Sequence, residues 1–194
     1  MRCKMRVIAG KAKSLALKTT DGDMTRPTTD RIKETLFNMI AFGLADCHFL
    51  DLFSGSGGIG IEALSRGAAH AYFVENNRKA IHCIEENLKF TRLTGQATIV
   101  KKDVIAALLH LAKRAGAMDF IFMDPPYNQL LEKKVLTTLS HSTLVDDDTL
   151  IIAEADIKTK FDYLEELGFT IVREKRYGNN KHIFIKKSQM ENII

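Results

Sequence analysis

Asp124, Pro125, Pro126 and Tyr127 close the apolar run at residues 121–123. None of them extends a sheet or opens a helix cheaply, because proline fixes φ and carries no N–H. The same rigidity suits a different task. The Asp124 carboxylate and the Pro125 carbonyl are two acceptors on a stiff backbone, one for each N–H of a planar exocyclic amine. Such an amine is a poor nucleophile, since its lone pair is delocalised into the ring, and two acceptors can orient it and favour the pyramidal geometry of attack. Tyr127 adds a flat face on which an extruded base can stack, worth about 1–3 kcal/mol. Burying the base would also exclude water. The simpler reading is a strand-ending turn with a capping Asp. It is weakened by the segment's place on the fourth strand of an alternating pattern, beside a second unusual stretch.

That stretch, "DLFSGSGGIGIEAL", holds Gly55, Gly57 and Gly60 in a G-x-G-x-x-G spacing between a strand and a helix, and Glu75 ends the next strand. A dinucleotide site has this form, with the acid on a ribose hydroxyl pair. Asp51 argues against it, because a carboxylate four residues before the first glycine gives a pyrophosphate nothing. An ammonium or sulfonium group would gain from it. Hydride-transfer partners are also not evident. S-adenosyl-L-methionine, zwitterionic at one end, cationic at sulfur and free of phosphate, fits these residues better. The glycines let the backbone approach it closely, Glu75 can take both ribose hydroxyls, and Asp103 can accept from the adenine amine. Each acid alone is equally well a helix cap. The ordered set after three successive strands carries the reading.

The elements that position these residues follow from periodicity. Residues 5–9 and 15–19 alternate enough for a short hairpin turning at "AGKAKS". Thr28 or Thr29 can cap a helix with an apolar stripe of Ile32, Leu36, Met39 and Ile40, its polar face holding Arg31, Glu34 and Asn38. From Asp46 strands and helices alternate, with Ala80, Ile81, Ile84 and Leu88 facing inward on one helix and "KFDYLEELG" forming the last. The pattern predicts an α/β fold with a mostly parallel seven-stranded sheet, closed by an antiparallel hairpin turning at "YGNN". Ligands of such sheets sit beyond the carboxyl ends of the strands. Asp51–Gly60, Glu75, Asp103 and Asp124–Tyr127 all fall there.

The totals agree with an ordinary globule of 194 residues, 45% hydrophobic and 27% charged. No apolar run is long enough for a bilayer, and "MRCKMRVIAGKAK" lacks the apolar stretch of a signal peptide, so a cytoplasmic location is expected. Cys3, Cys47 and Cys83 are scattered, and the six histidines show no ligand spacing, so neither a disulfide framework nor a metal is expected. Net charge is +4. Its placement says more: Arg2, Lys4, Arg6, Lys11, Lys13 and Lys18 precede the first acid, and Arg173, Lys175, Arg176, Lys181, Lys186 and Lys187 face only Glu174. Solvated strand ends carry lysine anyway, but two such clusters favour a nucleic acid partner.

In order and spacing, "RPTTDRIKETLFNMI", "FLDLFSGSGGIGIEALSRGA", "FVE" and "DPPY" resemble the RsmD family over nearly the whole chain. The glycine loop and "DPPY" are shared with many amino-group methyltransferases, and the "RPTTDRIKETLFN" block is the specific part. The resemblance implies a Rossmann-like class I methyltransferase that modifies guanine N2 in 16S ribosomal RNA, within a small subunit or an assembly intermediate; a monomer is expected. It divides the chain into a basic hairpin extension, residues 1–27, and a methyltransferase domain, residues 28–194. It also implies that Asp51, Phe53, Gly55, Gly57, Gly60, Glu75 and Asp103 hold the donor, and that Asp124, Pro125 and Tyr127 act on the base. Arg26, Arg31 and Lys33 would hold RNA with Lys11 and Lys13. "YGNN" departs from the family, where a threonine often follows the glycine. The alternatives are a DNA adenine-N6 methyltransferase, for which 194 residues leave little room for target recognition, and a non-catalytic RNA-binding protein on the same scaffold.

Overall fold

The computed structural model describes residues 5–19, 30–126 and 131–189. The strands are β1 (His48–Leu52), β2 (His70–Val74), β3 (Ala97–Val100), β4 (Phe120–Met123), β5 (Leu150–Asp156), β6 (Phe169–Tyr177) and β7 (Asn180–Lys187). The helices are α1 (Asp30–Met39), α2 (Gly58–Ser65), α3 (Arg78–Thr91), α4 (Val104–Leu111) and α5 (Leu131–Ser140). One seven-stranded sheet has the order β3-β2-β1-β4-β5-β7-β6, mostly parallel, with the expected antiparallel hairpin at its end. Two compact units make up the chain, Met1–Val104 and Ile105–Ile194.

In the first unit β1 pairs with β2 in parallel from His48↔His70 to Leu52↔Val74, and β2 pairs with β3. All of β1 after His48 is buried, which is why it reads as a nearly continuous apolar run with Asp51 as the exception. Helix α2 is buried at every residue. Gly60 makes this possible, because a Cβ there would overlap the Phe73 ring of β2. On α3 the expected inward residues Ala80, Ile81, Ile84 and Leu88 are buried, and the Asn77 side chain caps the helix through the Lys79 and Ala80 N–H groups.

The N-terminal segment doubles back on itself with a single antiparallel bridge, Arg6↔Ala16, rather than two regular strands. Val7 and Leu17 donate their N–H groups across the turn to the Leu15 and Met5 carbonyls, and other N–H groups of the segment go to side chains of the helices. Ile8 and Ala9 donate to the Glu62 carboxylate, Ala12 donates to Ser65 Oγ, and Lys18 donates to Asn87 Oδ1. Gly10, at φ +83°, lies so close to the Ser65 carbonyl that a Cβ would overlap it. Helix α1 buries Lys33, Leu36 and Phe37, a face turned by about one residue from the expected stripe, leaving Ile32 and Met39 half-buried. Thr28 and Thr29 lie outside the described residues.

In the second unit β4 is wholly buried and pairs in parallel with β5, from Phe120↔Leu150 to Met123↔Ala153. Strand β7 pairs antiparallel with both β5 and β6, and Gly178, at φ +58°, makes the turn of the hairpin. The helix expected at "KFDYLEELG" does not form. Turns and one 3-10 turn, Glu165–Leu167, take its place, and Gly168 ends them in a left-handed conformation. Nine residues are too few to carry a helix unaided, and burying Phe161 and Leu164 needs only one turn.

Candidate active site

Leaving β1, the chain turns at once. Phe53 adopts φ +61°, and Gly55 and Gly57 follow at +54° and +81°. A phenylalanine in the left-handed region is strained, so the loop must be over-determined by what surrounds it. Its bonds show how. Ser54 donates its N–H to the Val74 carbonyl (3.1 Å) and its hydroxyl to the Asp51 carbonyl (2.7 Å). Gly55 N–H donates to Glu75 Oε2 (2.9 Å), Gly57 N–H to the Ser54 carbonyl (2.7 Å), and Gly60 N–H to Asp51 Oδ2 (2.9 Å). The two strand-end carboxylates therefore pin the glycine loop, Asp51 from β1 and Glu75 just beyond β2.

The same bonds decide what the loop can bind. In a dinucleotide site the glycine N–H groups and the helix N-terminus point at a pyrophosphate. Here all three glycine N–H groups are taken, two of them by carboxylates, and an anion would face Asp51 and Glu75. The arrangement fits a ligand that offers positive charge and hydroxyl groups. Burial pushes the Asp51 carboxyl up to about 7, the Glu75 charge pushes the same way, and the Gly60 N–H opposes them. Glu75 Oε1 also accepts from the Asn76 and Asn77 N–H groups, so its ring of backbone donors holds the carboxylate where β2 gives way to α3. Asp103 is exposed immediately before α4.

In the second unit Asp124 and Pro125 follow β4 directly, Asp124 half-buried and Pro125 buried. Asp124 and the Pro125 carbonyl thus stand at the carboxyl end of a fully buried strand. Tyr127 lies outside the described residues, as does Arg26.

Of the cations assigned to RNA, Lys11, Lys13 and Arg31 are exposed. Lys33 is not. It is 1% exposed, donates from Nζ to the Arg6 carbonyl at 2.5 Å and stands 3.3 Å from Glu62 Oε2. Glu62 also takes Arg66 Nε at 2.8 Å and the two N–H groups of the N-terminal segment. Burial lowers the Lys33 pKa, and Glu62 works against that shift. Lys33 ties α1 and the N-terminal segment to α2, and its expected place on an RNA-facing surface is corrected accordingly.

The sequence reading passed over Glu154, 3% exposed in β5, and His182, fully buried in β7. Their signal was present. "LIIAEA" carries an acid inside a buried strand, as "HFLDL" does at Asp51.

Comparison with known proteins agrees with this architecture. A family model described as "Conserved hypothetical protein 95" matches residues 5–186. The chain is 42% identical over 175 residues to "Putative rRNA methyltransferase YlbH" of Bacillus subtilis (strain 168), covering 90% of this chain and 94% of that one. It is 35% identical over 155 residues to "Ribosomal RNA small subunit methyltransferase D" of Escherichia coli (strain K12), covering 80% and 76%. A solved structure, "Putative methyltransferase yhhF from Escherichia coli", superposes with a TM-score of 0.80 at 30% identity, covering 95% of this chain and 98% of that one. The fold, the matched family model and these relatives agree, and the chain belongs to that family, the RsmD family of methyltransferases.

Proposed function

We propose that this protein methylates the exocyclic N2 amine of a guanine in small-subunit ribosomal RNA, with S-adenosylmethionine as donor. The occupation of the Gly55, Gly57 and Gly60 N–H groups by Glu75, Ser54 and Asp51 carries the donor assignment, because a pyrophosphate would find these three donors taken and two carboxylates beside it. The relatives named for small-subunit ribosomal RNA support the substrate class. Bound S-adenosylmethionine supplies an electrophilic methyl group. Asp51 would hold its ammonium end, Glu75 its ribose, and Asp103 its adenine amine. Asp124 and the Pro125 carbonyl accept the two N–H groups of the guanine amine, and Tyr127 stacks the base. Positioning would supply most of the acceleration; as the amine nitrogen bonds the methyl carbon, the carbon–sulfur bond would break to leave a neutral thioether, and the proton of the charged nitrogen would then pass to water.

Labelled methyl transfer to small subunits from a strain lacking the enzyme, with the modified nucleoside identified by mass, tests this directly. N2-methylguanosine is expected. N6-methyladenosine would overturn the base assignment, and no incorporation would favour an RNA-binding scaffold without catalysis.

The raised Asp51 pKa adds a pH dependence. The ligand's cation favours the ionised carboxylate, so donor affinity should rise with pH up to about 7 and level off above it. Binding below that value should release up to one proton. The sign for the ligand-free fold is opposite. A carboxyl whose pKa is raised on folding stabilises most below its unfolded value of 3.8, and that contribution fades as pH rises through about 7. Asp51→Asn should therefore flatten both profiles. Calorimetric titration in buffers of different ionisation enthalpy measures the proton count, and a pH-independent affinity in the wild type would rule out this role for Asp51.

A further inference from the structure

At the carboxyl end of β5 lies a polar cluster walled by aromatic rings. Glu154 pairs in register with His182 of β7, and His182 with Lys175 of β6. Glu154 Oε2 accepts from His182 Nε2 at 3.1 Å, and Oε1 accepts from Asn180 Nδ2 at 3.2 Å. The His182 ring meets Tyr177 edge-on at 4.9 Å between centroids and Phe122 of β4 at 6.0 Å. Among the described residues, two polar atoms in this cluster, the Tyr177 hydroxyl and His182 Nδ1, are buried without a hydrogen-bond partner. Buried unpaired groups are uncommon and unfavourable. Two on rings in contact mark a place where a ligand group belongs.

The cluster sits at the level of the acceptor strand's end. Met123 of β4 pairs with Ala153 of β5, so Asp124 and Glu154 are the next residue on each strand. Contact with Phe122, two residues before Asp124, shows that the His182 ring reaches back across β5 towards β4. Tyr177, at the end of the edge strand, is only half-buried, whereas His182 is fully buried.

The donor and acceptor pattern is specific. A neutral His182 that gives its Nε2–H to Glu154 leaves Nδ1 as an acceptor, and the Tyr177 hydroxyl can donate. With Asp124 as an acceptor, the three groups read acceptor, acceptor, donor. The Watson–Crick edge of guanine reads donor at N2, donor at N1–H and acceptor at O6, which is the complement. Adenine would set its N1 lone pair against that of His182.

We propose that His182 Nδ1 and the Tyr177 hydroxyl read N1–H and O6 of the target base and so select guanine. Glu154 and Asn180 are positioning residues, Glu154 fixing the imidazole tautomer and Asn180 holding Glu154. This assigns a role to the "YGNN" hairpin, and it rests on the guanine reading given above.

The test uses the full chain and substrate RNA in which the methylated nucleotide, once mapped, is either guanine or 2-aminopurine. The analogue keeps the N2 amine but lacks N1–H and O6. Wild type should prefer guanine by at least ~10²-fold in kcat/KM. Tyr177→Phe, which removes one oxygen and should fold, is expected to lose about 10-fold on guanine and nothing on the analogue. His182→Phe should narrow the preference further. A Tyr177→Phe variant with wild-type rates on both RNAs would mean that the two atoms share an internal water only. Equal slowing on both would mean a structural role, and either result overturns the proposal. Failure of wild type to methylate the guanine RNA would instead sink the functional reading, and this inference with it.

Discussion

Methyl transfer by an Asp124→Asn variant is expected to fall at least ~10²-fold, the scale for losing one preorganised electrostatic group. Asparagine keeps the volume and one carbonyl acceptor, but it removes the charge and allows the amide to present its NH2 to the substrate amine. The amine is then held less firmly when its lone pair must leave conjugation. The reason to expect little loss of folding is structural. Asp124 is half-buried just beyond the last residue of β4, whose core contacts come from Phe120 to Met123. Donor affinity should be unchanged, since Asp51 and Glu75 pin the glycine loop without it. Single-turnover methylation beside donor titration separates the two effects. Wild-type turnover in Asp124→Asn would reduce "DPPY" to a turn. At Tyr127 the ring should matter and the hydroxyl should not. Phenylalanine is expected to stay active and alanine to lose most activity, whereas an inactive Tyr127→Phe would sink the stacking account.

What the sequence made legible shares one physical property. Asp51, Glu75 and Asp124 are polar residues at the ends of apolar runs, where a buried strand would otherwise continue. A carboxylate there has to be justified by a bond or a ligand, so residue type and position alone mark it. The glycine loop was legible for a related reason, since its left-handed turns and the close approach of Gly60 to Phe73 exclude most side chains. The parallel sheet and closing hairpin followed from periodicity and turn residues. What escaped was decided by tertiary contact. The buried face of α1 depends on where Glu62 of α2 stands, and no spacing within α1 reports that. The last expected helix gave way to turns because two buried side chains sufficed. His182 looked like an ordinary strand residue, and only the register Glu154↔His182 joins it to an acid 28 positions away.

Lys33 gives the second large effect, and it separates structure from RNA contact within one basic segment. Its ammonium is buried against the Glu62 carboxylate and the Arg6 carbonyl. Glu62→Gln is expected to cost about 3–5 kcal/mol, because it leaves the buried Lys33 cation beside Arg66 without its counter-charge. Lys33→Met should cost less, since Glu62 keeps Arg66 and the Ile8 and Ala9 N–H groups. The double variant should recover part of the Glu62→Gln loss, and denaturant unfolding of all four proteins gives the coupling. Exposed Lys11, Lys13 and Arg31 should behave oppositely. Neutralising any of them should leave stability nearly unchanged and lower the slope of log K against log salt for RNA binding by roughly one unit or slightly less. Lys33→Met should leave that slope where it is. A lower slope with unaltered stability in Lys33→Met would show that this lysine leaves its buried site to meet RNA. An unaltered slope in the other three would reduce the basic segment to solvated surface. If both patterns hold, the segment has two layers: a buried ionic anchor that docks it on α2 and an outer row of cations that the docking presents to RNA.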